Sequence, residues 1–256
     1  MKTTLQKTIL TLLFISTFTV TQAQTTESPK TDYHFSGSIS ATNNGISLIP
    51  TFSLGKPAAI LNMSIGGEKL SFEPELRTSL EAKPWSIILW WRYKLLNDDK
   101  FKFTVGGHPA LTFKSVITDV AGIQTTTIQA QRYLAGELTS NYYLSKDISV
   151  GCYYLYSHGI ESNATQNTHF LTLNSSFSNI KLSEELAMRF SPQVYYLKMD
   201  SKDGFFVSSS LTLSKKNSPI SISGLINKVI KTDIATKNFV WNATIAYSFN
   251  NKFSKQ

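Results

Sequence analysis

Seven charged side chains stand where their neighbours are mostly uncharged: Glu73, Glu75, Arg77, Arg92, Glu137, Glu185 and Arg189. Each is read as lying on a polar face of a segment whose opposite face is apolar. Charges of both signs on such a surface could line a constriction and select a solute. They could equally pair across strands and neutralise one another, as opposed charges on a sheet do. If the turn in "EAKP" is tight, Glu73 lies opposite Arg92 and Glu75 opposite Trp90. An ion pair in a wet interior contributes about 1 kcal/mol or less, so it would organise more than stabilise.

Nucleophilic chemistry has two candidate places. "YHFSG" puts His34 and Ser36 on one strand face, and "YSHG" puts Ser157 beside His158. A hydroxyl nucleophile needs a base within hydrogen-bond reach and a third group to orient that base. Residues i and i+2 on a strand are ~7 Å apart, long for direct contact, and no carboxylate is near His34 in sequence. The four histidines (34, 108, 158, 169) and the one cysteine, Cys152, have no metal-ligand spacing. Nucleotide and phosphate-loop fingerprints are absent. The expectation is therefore no metal, no cofactor and no enzyme, with a lipid hydrolase using a Ser/His pair as the alternative.

The elements that carry these residues read as strands. "LSFEPELRTSL" sets Leu70, Phe72, Pro74, Leu76 and Leu80 against Glu73, Glu75 and Arg77. "WSIILWWRYKLL" sets Trp85, Ile87, Leu89, Trp91, Tyr93 and Leu95 against Ser86, Ile88, Trp90, Arg92 and Lys94. The same period recurs from "ISLIPTFSL" to "NFVWNATIAYSF", with turn chemistry such as "GGEK", "NDDK" and "KKNSP" between. Period 3.6 is almost absent, and after Ala23 no apolar run approaches the ~20 residues of a spanning helix.

Three features choose the side that faces in. The polar faces are rich in Ser, Thr, Asn, Gln, Gly and Ala rather than Lys and Glu. Aromatic residues sit near strand ends: Trp85 and Tyr93 are separated by ~20 Å at ~3.3 Å per residue and ~40° tilt, close to the ~25 Å apolar band of a membrane barrel. Short connections alternate with longer ones such as "KSVITDVAGIQTTT". The apolar faces are therefore expected to meet lipid, Cys152 among them, and the polar faces to line a lumen.

Composition agrees. Of 256 residues, 16% are charged, below the roughly 25% of soluble domains. The net charge of +8 is scattered, and no basic stripe marks a nucleic-acid surface. "MKTTLQK", the apolar "TILTLLFISTFTV" and the small residues of "TQAQ" form the three parts of a secretory signal peptide cut after Ala23. A lone cysteine forms no internal disulfide.

Over its whole mature length the chain resembles an outer-membrane β-barrel protein of a Gram-negative bacterium. Its last strand resembles that class's C-terminal signature, with Phe249 as terminal aromatic and Tyr247, Ile245, Ala243 and Trp241 on the same face. The resemblance implies an all-β, transmembrane, antiparallel up-and-down barrel in the cell outer membrane. It also implies recognition of the last strand by the barrel-insertion machinery. The tail "NNKFSKQ" departs from the signature, unless Phe253 is the true terminal aromatic.

Even strand numbers are the rule in such barrels, and counting back from the last strand gives twelve beginning at "ISLIPTFSL", with fourteen as the alternative. The expected divisions are a signal peptide (1–23), an N-terminal segment before the barrel (24–45), the barrel (46–249) and a short polar tail (250–256). Trp85, Tyr93, Trp241, Tyr247 and Phe249 are the expected lipid-facing girdle. Pro50, Pro74, Pro109 and Pro192 interrupt strand patterns, and bulges are expected there. The expected role is a small passive pore or structural barrel whose partners are outer-membrane lipid and small solutes. A barrel that adheres or assembles through its loops is a further alternative.

Overall fold

The computed structural model describes residues 32–120 and 123–254. The leader and its cut after Ala23 lie outside the described residues. Twelve antiparallel strands form one closed barrel in simple sequential order. They are β1 (Asp32–Thr42), β2 (Ala58–Gly66), β3 (Leu70–Ser79), β4 (Pro84–Asn97), β5 (Phe101–Val120), β6 (Ile123–Tyr143), β7 (Ile148–Gly159), β8 (Asn167–Lys181), β9 (Leu186–Met199), β10 (Lys202–Lys215), β11 (Ile220–Thr232) and β12 (Phe239–Ser254). Closure joins β1 to β12, from Tyr33↔Phe253 to Thr42↔Thr244. Closure leaves no sheet edge in the wall.

The count of twelve holds, but the first strand is not the expected one. "YHFSGSISAT" is β1, in the wall rather than before it. "ISLIPTFSL" is not a strand: it belongs to the loop 43–57 and contains a 3-10 turn, Pro50–Phe52. The barrel therefore starts at residue 32, not 46. At the other end, β12 runs on through the supposed tail to Ser254, and Phe253 is an exposed outward aromatic. Proline explains the swap at the first strand. Pro50 has no N–H to give to a ladder but suits the start of a tight turn.

The prolines do not sit at bulges. Register shifts occur at Arg77/Thr78, Lys94/Leu96, Phe177/Ile180 and Phe205/Phe206 instead. Pro74, Pro109 and Pro192 each keep a paired partner on one side: Leu89, Leu134 and Ser209. On the other side the ladder has a gap with register unchanged, between Asn62↔Glu75 and Ile65↔Phe72, between Ile88↔Ala110 and Trp91↔Gly107, and between Asn174↔Gln193 and Phe177↔Phe190. A missing donor interrupts pairing with one neighbour only, so a closed wall tolerates it.

The face assignment follows the alternation. Tyr93, Trp241 and Tyr247 are exposed on the outer surface, whereas Trp90 is buried inside. Phe249 lies over Gly37 and tilts against Phe35 with centroids 5.4 Å apart. Gly37 provides the space, since a Cβ there would collide with the Phe249 ring. Cys152 is half-buried in an outer groove with Val150, Leu173 and Val194.

Trp85 is a correction. It is 3% exposed and turned inward, not part of an outer girdle. The hairpin β3–β4 closes with Ser79 N–H donating to Lys83 O, with Ala82 left-handed at φ 59. Pairing then shifts between Thr78↔Pro84 and Arg77↔Ser86. Trp85 is the extra residue of that bulge, and a bulge re-aims a side chain. The same turn moves the register from the one expected. Glu73 stands opposite Trp90, Glu75 opposite Ile88, and Arg92 opposite Ser71.

Candidate functional site

The inward faces divide the lumen into two halves. Toward the chain termini β9 presents Arg189, Ser191 and Gln193, and β10 presents Ser208, Ser210, Thr212 and Ser214. Toward the opposite end the same strands present Tyr195, Leu197, Met199 and Phe206, all buried. These join Trp90, Leu155, Phe170 and Ile234 in one apolar cluster, with Leu48 and Ile49 packed against it. A second cluster of Ala110, Tyr133 and Ala164 takes Phe52. The plug is thus part wall and part loop: Leu48, Ile49 and Phe52 come from loop 43–57, Ala164 from loop 160–166 and Ile234 from loop 233–238.

Polar contacts pin the plug. The Trp85 Nε1–H donates to Phe52 O at 2.7 Å. The Tyr195 hydroxyl lies 3.1 Å from Leu48 O and 2.9 Å from Asn227 Oδ1, one proton between two acceptors. Phe52 meets Tyr133 edge to face at 4.8 Å. Tyr195 and Phe206 stack at 4.8 Å.

Beside the plug lies a charge network that β3, β4, β6 and β7 build together. Arg92 holds Glu137 as a fork, Nε to Oε1 at 2.5 Å and Nη2 to Oε2 at 3.3 Å. Its Nη1 bonds Glu73 Oε2. Tyr153 donates to Glu137 Oε2 at 2.8 Å, and Ser71 donates to Glu73 Oε1 at 2.7 Å. The guanidinium also covers the Trp90 ring at 4.3 Å. The Glu137 side chain is 1% exposed, so this pair is desolvated far more than a surface bridge. Two carboxylates against one guanidinium leave the network formally one charge negative.

Of the charges singled out in the sequence, the structure brings Glu73, Arg92 and Glu137 together. Arg77 pairs with Glu75 separately and lies over Trp85 at 4.9 Å. Glu185 is not in the lumen: it sits in the β8–β9 turn, exposed, paired with Lys215 at 3.0 Å. Arg189 faces inward at the terminus end but remains exposed and joins no network. Tyr153, Tyr195, Asn227 and the whole of loop 43–57 were not anticipated. Pro50 between Gly45 and Gly55 was the signal that this stretch is no wall strand.

Of the two Ser/His candidates, neither forms as written. His34 Nε2 is 3.0 Å from the hydroxyl of Ser64, on the neighbouring strand, not from Ser36. Ser157 is buried in the lumen, and His158 is on the opposite face of β7. Among the described residues no group of three His, Cys, Asp or Glu side chains could hold a metal ion.

No protein-family model and no curated protein matches the chain. Solved structures do. The KdgM porin superposes with a TM-score of 0.52 at 11% identity, over 84% of this chain and 99% of that one. The KdgM porin in complex with disordered oligogalacturonate gives 0.51 at the same identity and coverage. LpxR from Salmonella typhimurium gives 0.46 at 12% identity, over 84% and 99%. At such identities the likeness is one of fold. The chain has the fold of outer-membrane β-barrels: an all-β, closed, twelve-stranded antiparallel barrel.

Proposed function

We propose that this protein is an integral barrel of the cell outer membrane, exported by its N-terminal leader, whose lumen is closed at rest. Its terminus end faces the periplasm, and its last strand is the element the insertion machinery reads. The observation that carries the closed reading is the packing of Leu48, Ile49 and Phe52 inside the wall. Water in the polar half meets an apolar barrier rather than a continuous path. Of the two roles expected from sequence, the structural barrel is favoured and the passive pore becomes a gated one, with loop 43–57 as the gate. The neighbour's polyanionic saccharide is not carried over, because the network beside the plug is net negative and would repel it.

Planar-bilayer recording tests this. The wild type should give no steady current, and a variant with residues 46–54 replaced by a Gly-Ser linker should conduct. Steady ohmic conductance from the wild type would end the closed reading. Silence from the loop variant would show that the loop is not the barrier.

One observation favours a second reading, hydrolysis. The His34–Ser64 contact is the hydroxyl–base pair such chemistry needs. It faces the lumen, and among the described residues no carboxylate is hydrogen-bonded to His34. A fluorophosphonate probe should therefore leave Ser64 unlabelled; labelling lost in Ser64→Ala would move this barrel into the enzyme class.

A further inference from the structure

Within the plug is a cavity of about 120 Å³. Its walls are mainly apolar: Ile49, Phe52, Ile88, Trp90, Tyr133 and Leu155 line it. Three polar side chains on the same wall have an unsatisfied atom, Thr112 Oγ1 being one of them. Ser86 Oγ and His108 Nδ1 are buried without a hydrogen-bond partner, in residues 3% and 7% exposed. A buried polar atom left unpaired costs about 1–3 kcal/mol. Native interiors seldom leave such atoms without a protein group, a water or a ligand.

The space suits one kind of molecule. A dry apolar cavity of about 150 Å³ takes up benzene, so this one has room for a single ring or a short branched chain. A wholly apolar guest would leave Ser86, His108 and Thr112 unpaired. A charged guest would meet walls that offer little solvation. The Arg77 guanidinium, which reaches the same wall, is already paired with Glu75.

We propose that this cavity is a binding site for a small neutral molecule, the size of one aromatic ring, that carries a single hydrogen-bonding group. The ring lies among Phe52, Tyr133 and Leu155, and the polar group meets Ser86 Oγ or His108 Nδ1. Tilted stacking on Trp90, with centroids 3.8 Å apart, holds the His108 ring in place. One wall of the site, Ile49 and Phe52, is loop 43–57. Occupancy therefore fastens the loop to the barrel. The site is independent of whether the barrel conducts when the loop is out.

The test uses full-length mature barrel refolded in detergent, with phenol and benzene as probes and calorimetric titration as readout. Phenol should bind saturably. Ala110→Leu and Ala135→Leu each fill the cavity, and folding of each is checked by its heat-dependent gel shift. Either one that folds should abolish saturable binding in the same detergent, which separates the site from micelle partitioning. Ser86→Ala combined with His108→Phe should weaken phenol roughly threefold to tenfold, the value of one hydrogen bond, and leave benzene unchanged. No saturable binding of either probe to the wild type would overturn the site and leave ordered water as the occupant. Binding that persists in a folded filled variant would overturn its location. Equal affinity for both probes, unmoved by the polar substitutions, would overturn its chemistry.

Discussion

The two halves of the lumen are lined by the same strands but by different chemistry. On β9 the inward residues change from Arg189, Ser191 and Gln193 to Tyr195, Leu197 and Met199, within one uninterrupted strand. On β8 they change from Ser176 and Asn174 to Thr172, Phe170 and Thr168, the last three almost fully buried. The polar half leaves groups such as Arg189 exposed, although Ser208, at its border with the plug, is buried and donates to Ile226 O. The apolar half excludes water, so a polar group left there without a partner is costly, and the long loops supply both apolar cover and acceptors such as Phe52 O and Leu48 O. A barrel wall thus does not set whether it encloses a channel or a core. The inward residues and the loops they can hold do.

The largest effect that separates the halves is a charge deletion. Glu137→Ala removes a fully buried carboxylate and leaves Arg92, itself 27% exposed, without its fork, and removing one partner of a buried pair costs about 3–5 kcal/mol. The surviving bond to Glu73 puts the expected loss at the low end, about 3 kcal/mol. Arg189→Ala, in the wet half, should stay within about 0.5 kcal/mol. Urea unfolding in lipid vesicles measures both. Comparable losses would mean that the lumen is uniformly wet and the two-half description fails.

Next comes the wall's own inside–outside contrast. Leu89 alternates with exposed Trp91 and Tyr93 on the outer face, and Ser210 faces the polar lumen. Leu89→Arg should cost about 2–4 kcal/mol if it sits at mid-membrane depth, and Ser210→Arg well under half of that. Folding yield in vesicles reads the difference. An inverted order would put lipid on the other face. Trp90→Arg would not serve as a clean inward control, because Trp90 is packed in the plug rather than open to the lumen.

Much of the wall was readable and the plug was not, for one physical reason. Period-2 alternation reports that a segment has two unlike faces, which holds for any wall strand whatever fills the barrel. It placed Leu89 and Trp90 on opposite sides, and it put Tyr93, Trp241 and Tyr247 outside. It could not tell the wall from a loop that folds inward, because Ile46, Leu48, Phe52 and Leu54 alternate as well. Local bulges also defeat it. One extra residue at Trp85 reversed that side chain, and a turn that closes earlier than expected, between Ser79 and Lys83, set Glu73 against Trp90 rather than Arg92 in the ladder. The Glu73–Arg92 contact formed regardless, since Arg92 reaches it diagonally from opposite Ser71. Glu137 came from a strand paired with β5, and no hairpin argument around Arg92 points to it.

A smaller effect sharpens the loop side of the comparison. Trp85→Phe keeps most of the ring but removes the Nε1–H that donates to Phe52 O. About 1 kcal/mol should be lost, and mainly from the loop's attachment rather than from the wall. Limited proteolysis with chymotrypsin at Phe52, which the plug holds packed, should become faster, while the heat-dependent gel shift of the barrel stays unchanged. If cleavage is no faster than in wild type, the indole contact does not hold the plug.

The smallest expected effect contrasts Glu137 with the loop carboxylate Glu161. Glu161 accepts the Arg132 backbone N–H at 2.6 Å and the Arg132 Nε–H at 2.6 Å, tying loop 160–166 to the middle of β6, next to where its pairing with β7 begins. The backbone hydrogen bond first, and the side-chain hydrogen bond next, hold its carboxyl below the usual glutamate range. A lowered folded-state value means that the carboxylate favours the folded loop at any pH above the ordinary range, near 4.3. That contribution is lost as pH falls through the lowered value. The group is solvent-accessible, so barrel stability should hardly register the change. A carboxyl-carbon titration by NMR should place the Glu161 midpoint below ordinary glutamate, and exchange of the Arg132 amide should quicken only below that midpoint. Glu161→Gln should remove the pH dependence of that exchange without moving the urea midpoint. A Glu161 midpoint at or above the ordinary value would show that the loop is not tied down through this contact. The cover over Ala164 would then rest on Gln131, whose Nε2–H donates to Asn163 O at 3.1 Å.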